Sequence, residues 1–353
     1  MSATIKIFLA LGLATGAVAV SAPSASAAKY HTPVAGQSLF YEDQLSGKRS
    51  VVRRRPTPEQ RRLYDAAPAL PVVDAATGSA ASTAVYFSAH QDDFVLFMYP
   101  HRDVTSSDTN AVFIFMTAGD AGLGSGPYYA PYYSARESGA LRAIRFMADA
   151  TTTYTASSQS KRVTINGHQI NRTVYKNTTA FFLRLPDGNG DGEGFSGTGN
   201  ASMQKLMTGR ISSLKAVDGS TTYKGWNDLV QTLGAIVKSQ AAGTPNVWLD
   251  IPETDTAANP GDHSDHIATG LAAAALQTTM PCLGLVHHVG YSNAGLVNMD
   301  LTEIEDKAGA FANYTSALAE KGYPGVSWGP GHQTWLGGMV LRIVPGNGGA
   351  CTF

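Results

Sequence analysis

The sequence predicts an α/β sandwich built on a mostly parallel sheet, because short apolar runs alternate with helix-spaced stretches. Ala84-Val85-Tyr86-Phe87 and Ala111-Val112-Phe113-Ile114-Phe115-Met116 show no polar alternation, as expected of strands covered on both faces. The first run leads into Ser88-Ala89-His90-Gln91-Asp92-Asp93 and the second ends at Thr117-Ala118-Gly119-Asp120. Ligands of open parallel sheets sit beyond the carboxyl ends of the strands, so these turns are where chemistry is expected.

Taken in chain order, Lys6 is the only charge before an apolar run over 7–20, and Ala25-Ser26-Ala27 follows. A basic start, a 14-residue apolar stretch and an A-x-A site predict a signal peptide over 1–27. The stretch is short for a bilayer span of about 20 residues. The mature protein is therefore expected outside the cytoplasm, extracellular or periplasmic, with no membrane span. Residues 28–80, rich in Pro, Arg, Ala and Ser, read as an N-terminal extension with a possible short helix over 58–66. Residues 81–353 read as one catalytic-size domain.

Within that domain 134–148 has helical spacing with Ala140, Leu141, Ile144 and Met147 on one stripe. Residues 154–182 alternate Thr and Val and predict strands, and 201–240 holds two plausible helices. Val247-Trp248-Leu249-Asp250-Ile251 reads as a core strand, 266–276 as an Ala-rich helix and 285–289 as a strand. A long helix is expected over 301–321 and a final strand over 335–344.

Charge excludes some partners. The chain has 26 basic and 27 acidic residues, and loss of Lys6 leaves 25 against 27, a net of −2. A near-neutral chain makes no electrostatic case for nucleic acid or an anionic membrane. The Arg53-Arg54-Arg55 cluster reads as a solvated face. Cys282 and Cys351, the only cysteines, are expected to pair in an exported protein. A bridge across 69 positions contributes about 4 kcal/mol on the chain-entropy account.

A metal that activates water needs about three protein ligands and an open position. His90 and Asp93 are three apart at a strand-to-helix turn, so both can converge on one ion, with Asp92 facing the water. Alternatively the Asp pair only caps the helix starting near Phe94. His263 and His266, in His263-Ser264-Asp265-His266, share one face of a helical turn. One can bind metal while the other serves acid–base or oxyanion work.

These residues together resemble the PIG-L/LmbE-like zinc-dependent N-deacetylases, the family of the N-acetylglucosaminyl-phosphatidylinositol de-N-acetylases. That family reads Ala-His-Pro-Asp-Asp-Glu, then His-x-Asp-His; the turn at Thr117-Ala118-Gly119-Asp120 and the pair Arg136-Glu137 fall in the same order. The resemblance spans roughly 83–320 and implies a Rossmann-like three-layer sandwich. It implies His90, Asp93 and His266 as ligands of Zn2+, and Asp92 as general base. His263 would stabilise the oxyanion or protonate the leaving amine, and Asp265 would orient a histidine. Arg136 matches a substrate-contacting position, although an exposed structural arginine is an equal alternative. Gln91 and Phe94 depart from the pattern, replacing the proline and the glutamate. The implied substrate is a small molecule or glycan bearing an N-acetyl group. Rivals are a zinc amidase for a non-sugar amide, and a carbohydrate-binding protein whose catalysis has lapsed, suggested by Phe94. A zinc peptidase is disfavoured because no His-Glu-x-x-His occurs.

Three further features are weaker. Asp187-Gly188-Asn189-Gly190-Asp191-Gly192 begins like a calcium loop, but the twelfth position is Thr198; a mobile Gly-rich loop near the active-site mouth is the favoured reading, and if it lines the cleft Asp187 and Asp191 can hydrogen-bond sugar hydroxyls. Tyr128, Tyr129, Tyr132 and Tyr133 are candidates for stacking on sugar rings. His287-His288 are expected only to pack or cap.

Overall fold

The computed structural model describes residues 80–123, 131–150, 158–323 and 331–353, together with the backbone of Tyr30–His31. The chain forms an α/β three-layer sandwich. Its strands are β1 (Tyr30–His31), β2 (Ser82–Ser88), β3 (Thr109–Thr117), β4 (Gln159–Ile165), β5 (His168–Tyr175) and β6 (Thr178–Leu185). A small hairpin, β7 (Leu214–Lys215) and β8 (Thr222–Tyr223), precedes β9 (Asn246–Pro252), β10 (Gly284–His288) and β11 (Leu341–Val344). The main sheet runs β1-β11-β10-β9-β2-β3-β6-β5-β4. Its five central strands, β10 to β6, are parallel. Antiparallel strands complete both edges.

The helices are α1 (Asp93–Leu96), α2 (His101–Thr105), α3 (Tyr132–Asp149), α4 (Met203–Met207), α5 (Trp226–Ala241), α6 (Ser264–Thr279) and α7 (Leu301–Glu320). Strand side chains alternate between faces, and β2 shows the consequence. Val85 and Phe87 pack with Leu233, Ile236 and Ala272 of α5 and α6, whereas Ala84 and Tyr86 pack with Ile144 and Phe311 of α3 and α7. A strand buried on both sides has no use for polar alternation, which is why the central strands read as continuous apolar runs.

β2 has β3 on one side and β9 on the other. The chain reverses its direction of winding there, and that switch opens a crevice above the strand ends. The turn after β2, the Thr117–Asp120 turn after β3 and the loops after β6 and β9 all lie at that end.

Most expected elements are present within a few residues. The final strand is shorter than expected: residues 332–335 form a tight helical turn and only Leu341–Val344 is extended. Cys282 and Cys351 are bonded, with Cα atoms 5.3 Å apart. Tyr132 is not available for stacking on a sugar: its ring is buried, 4.9 Å from that of Tyr323. Tyr133 lies beneath the guanidinium of Arg184. The signal peptide, the helix over 58–66, Tyr128 and Tyr129 lie outside the described residues. Among the described residues no helix is long and apolar enough to cross a membrane.

Candidate metal centre

The turn after β2 is tight because Asp93 folds back on it: the His90 amide donates to Asp93 Oδ2 at 2.7 Å. That bond leaves Oδ1 pointing into the crevice beside His90 Nδ1, 3.6 Å away. The first turn of α6 brings His266 to the same point, with Nε2 3.3 Å from Asp93 Oδ1 and 3.3 Å from His90 Nδ1. Three ligand atoms thus form a triangle with edges of 3.3–3.6 Å. A tetrahedral zinc ion with bonds of about 2.0–2.1 Å holds its ligand atoms about 3.3 Å apart. The residues fit the ion.

Electrostatics agrees with the geometry. Burial pushes the His90 pKa down, but Asp93, then Asp265 and Asp187, carry it up to about 10. Burial likewise pushes Asp93 up, and His266 and His90 more than offset that, holding it well below the usual carboxylate range. A buried pocket crowded with carboxylates demands positive charge, which a divalent cation supplies.

Each histidine has a carboxylate on its far side. His266 Nδ1 pairs with Asp262 Oδ1 at 2.8 Å, which commits that nitrogen to a proton and frees Nε2 for an ion. Asp262 was not among the residues singled out from sequence; it precedes the N-cap His263 of α6, outside the helix, so helical spacing gave no signal for it. Asp265 is fully buried, and its Oδ2 lies 3.4 Å from His90 Nε2 while accepting from the Gly188 amide at 2.8 Å. Gly188 admits no side chain here, since a Cβ would stand 2.5 Å from Asp265 Oδ1.

Asp92 is the N-cap residue of α1 but makes no side-chain capping bond, so capping does not account for the acidic pair. Its Oδ1 instead accepts from Arg136 Nη2. Arg136 is buried, not exposed, and its other donors go to the Tyr314 hydroxyl at 2.9 Å and the Gly119 carbonyl at 2.7 Å. Gly119 has φ +53°, and a Cβ would meet Gln91 Oε1 at 2.7 Å and Arg136 Nη1 at 2.8 Å. Gln91 donates to the Thr117 carbonyl at 2.8 Å and is wholly buried, so the residue in the family's proline position ties the turn after β2 to the end of β3. Phe94 points away from the crevice. Its ring packs edge-on against Phe113 and Phe115 at 5.2 and 5.6 Å.

His263 is the N-cap of α6, and its Nδ1 accepts from the Asp265 amide at 3.1 Å. Its neutral form therefore carries the proton on Nε2. Burial first, then the neighbouring His90 and His266, push its pKa down to about 3. The ring stands edge-on to His90 with centroids 4.7 Å apart. Asp187 and Asp191 part company. Asp187 is buried with Oδ2 4.0 Å from His90 Nε2, whereas Asp191 is exposed and accepts from the Glu193 amide. His332, absent from the sequence reading, has Nε2 3.8 Å from Asp92 Oδ2. His287 and His288 serve Glu253 and Asp250.

No family model and no curated protein matches the chain. Solved structures similar to it include N,N'-diacetylchitobiose deacetylase from Pyrococcus horikoshii, at 12% identity and a TM-score of 0.42, covering 75% of this chain and 84% of that one. The A40926 pseudoaglycone deacetylase is similar at 13% identity and 0.37, covering 76% and 97%. The zinc-inhibited form of teicoplanin deacetylase gives 13% and 0.37, covering 76% and 99%. At these similarities the geometry of the site itself carries the functional reading.

Proposed function

We propose that this chain is an exported zinc-dependent N-deacetylase that hydrolyses the acetamide of an N-acetylglucosamine-like unit. The observation carrying the reading is the His90, Asp93 and His266 triangle at zinc-ligand spacing. Those three residues would hold a zinc ion, which would supply Lewis acidity to the amide carbonyl and lower the pKa of a water to about 7. Asp92, fixed through Oδ1 by Arg136, keeps Oδ2 to take the proton from the attacking water. The neutral His263 ring donates its Nε2–H to the developing oxyanion, and the proton that Asp92 takes from the water passes to the departing amine. Asp262 and Asp265 keep the two ligating rings turned correctly. The acetamide part of the reading rests on the motif resemblance, and the Cys282–Cys351 bond supports an oxidising compartment.

Phe94 motivated the lapsed-enzyme alternative, and its ring belongs to the core. The test is acetate release from N-acetylglucosamine oligomers and from acyclic acetamides. Activity on the oligomers should vanish with a chelator and return with zinc. Acetate release indifferent to the chelator would overturn the metal assignment, and a zinc-loaded protein inert on every amide would overturn the activity.

A further inference from the structure

The crevice has an aromatic side that the reaction does not use. Tyr291 opens a short turn just beyond β10, and Trp335 closes the turn His332–Trp335. Their rings stack with centroids 5.3 Å apart at 22°. The Trp335 indole N–H donates to the Tyr291 carbonyl at 3.3 Å, tying the two turns together. Phe97 stands edge-on to Trp335 at 5.5 Å and to the ligand His266 at 5.4 Å. Tyr291 is itself edge-on to His266 at 5.2 Å and 78°. The same turn that carries Trp335 places His332 beside Asp92.

Tyr291 remains 38% exposed and Trp335 half-buried, so these stacked rings, wedged against a ligand histidine, keep apolar surface open to water. Aromatic faces held next to a polar reaction centre suit a ligand with an apolar face and a polar rim. A pyranose ring is such a ligand: its axial C–H bonds lie on the aromatic plane while its hydroxyls stay hydrated.

We propose that Tyr291 and Trp335, backed by Phe97, form a stacking platform that holds a pyranose ring of the substrate beside the metal centre. The inference rests on the N-acetyl-sugar reading above and adds the residues that set its specificity. An acyl chain would also find apolar surface there, and the test separates the two.

Steady-state acetate release should be measured for the wild type, Trp335→Ala, Trp335→Phe and Tyr291→Ala, on an N-acetylglucosamine oligomer and on N-acetylethanolamine, which has no ring. Trp335→Ala should raise KM for the oligomer about tenfold more than for the acyclic amide, with the loss in KM and not in kcat. Trp335→Phe, which keeps a ring, should recover most of it. Equal losses on both substrates, or none, would overturn the platform, as would tighter binding of a long-chain N-acyl amine than of the oligomer. Calorimetric binding of the oligomer distinguishes the two readings. Saturable binding that weakens in Trp335→Ala without acetate release keeps the platform and refutes the deacetylase; no binding to the wild type overturns the platform.

Discussion

Asp262→Asn tests whether the outer carboxylate tunes the metal site. The residue is buried and its Oδ1 lies 2.8 Å from His266 Nδ1, with Asn259 Nδ2 donating to its other oxygen at 2.6 Å. Asparagine keeps the shape and an acceptor for the Nδ1 proton, and it removes the charge that makes the imidazole a stronger donor to the ion. Alanine removes both. Outer carboxylates of this kind contribute about 10- to 100-fold in metal affinity, or about 1.4–2.7 kcal/mol. Asp262→Asn should fall near the lower bound and Asp262→Ala near the upper, because only the alanine also frees the ring to rotate. Zinc affinity is read by competition with a chromophoric chelator, with circular dichroism confirming the fold. Affinities within twofold of wild type for both variants would refute the assignment of Nε2 as the ligating atom of His266.

Arg136→Met should destabilise the protein by about 3–5 kcal/mol in urea unfolding, because Asp92 would keep a buried charge with no partner and Tyr314 would lose its donor. Gly119→Ala should cost about 1–3 kcal/mol in the same assay, from the left-handed backbone and the close approach to Gln91 and Arg136. Glu253 carries a pH dependence. Burial raises its pKa, but the neighbouring His287 and the hydrogen bonds from Arg342 more than offset this and hold it below the usual carboxylate range. On acidification the unfolded chain takes up this proton first. The pair's contribution is thus complete above the ordinary glutamate pKa of about 4.3 and is lost as pH falls toward the folded value. Thermal melts from pH 7 downward should show a shallower acid-side loss in Glu253→Gln than in wild type.

The central strands were legible because burial on both faces leaves an uninterrupted apolar run, as in β2 and β3. The candidate cluster was legible because His90 and Asp93, and His263 and His266, sit close in sequence at turns that the fold brings together. The rest required three dimensions. Asp262 is four residues before His266, but nothing local says that its carboxylate turns inward. Gln91 looks like a mild replacement at a loop position, and only the neighbouring β3 reveals that it bridges two turns. Tyr132 sits in a tyrosine-rich stretch that reads as surface, yet helix α3 rotates it into the core against Tyr323. Trp335 reads as the first residue of a final strand, yet it closes a tight turn whose partner Tyr291 lies 44 positions earlier, and no periodicity connects them.

The account stands most directly on Asp92→Asn, measured for metal content and turnover together. The variant should purify with one zinc per chain, as the wild type should, and lose about 10²- to 10⁴-fold in kcat. His90→Ala or Asp93→Ala should lose the metal itself. A fully active Asp92→Asn, or an Asp93→Ala that still holds zinc as tightly as the wild type, would contradict the account.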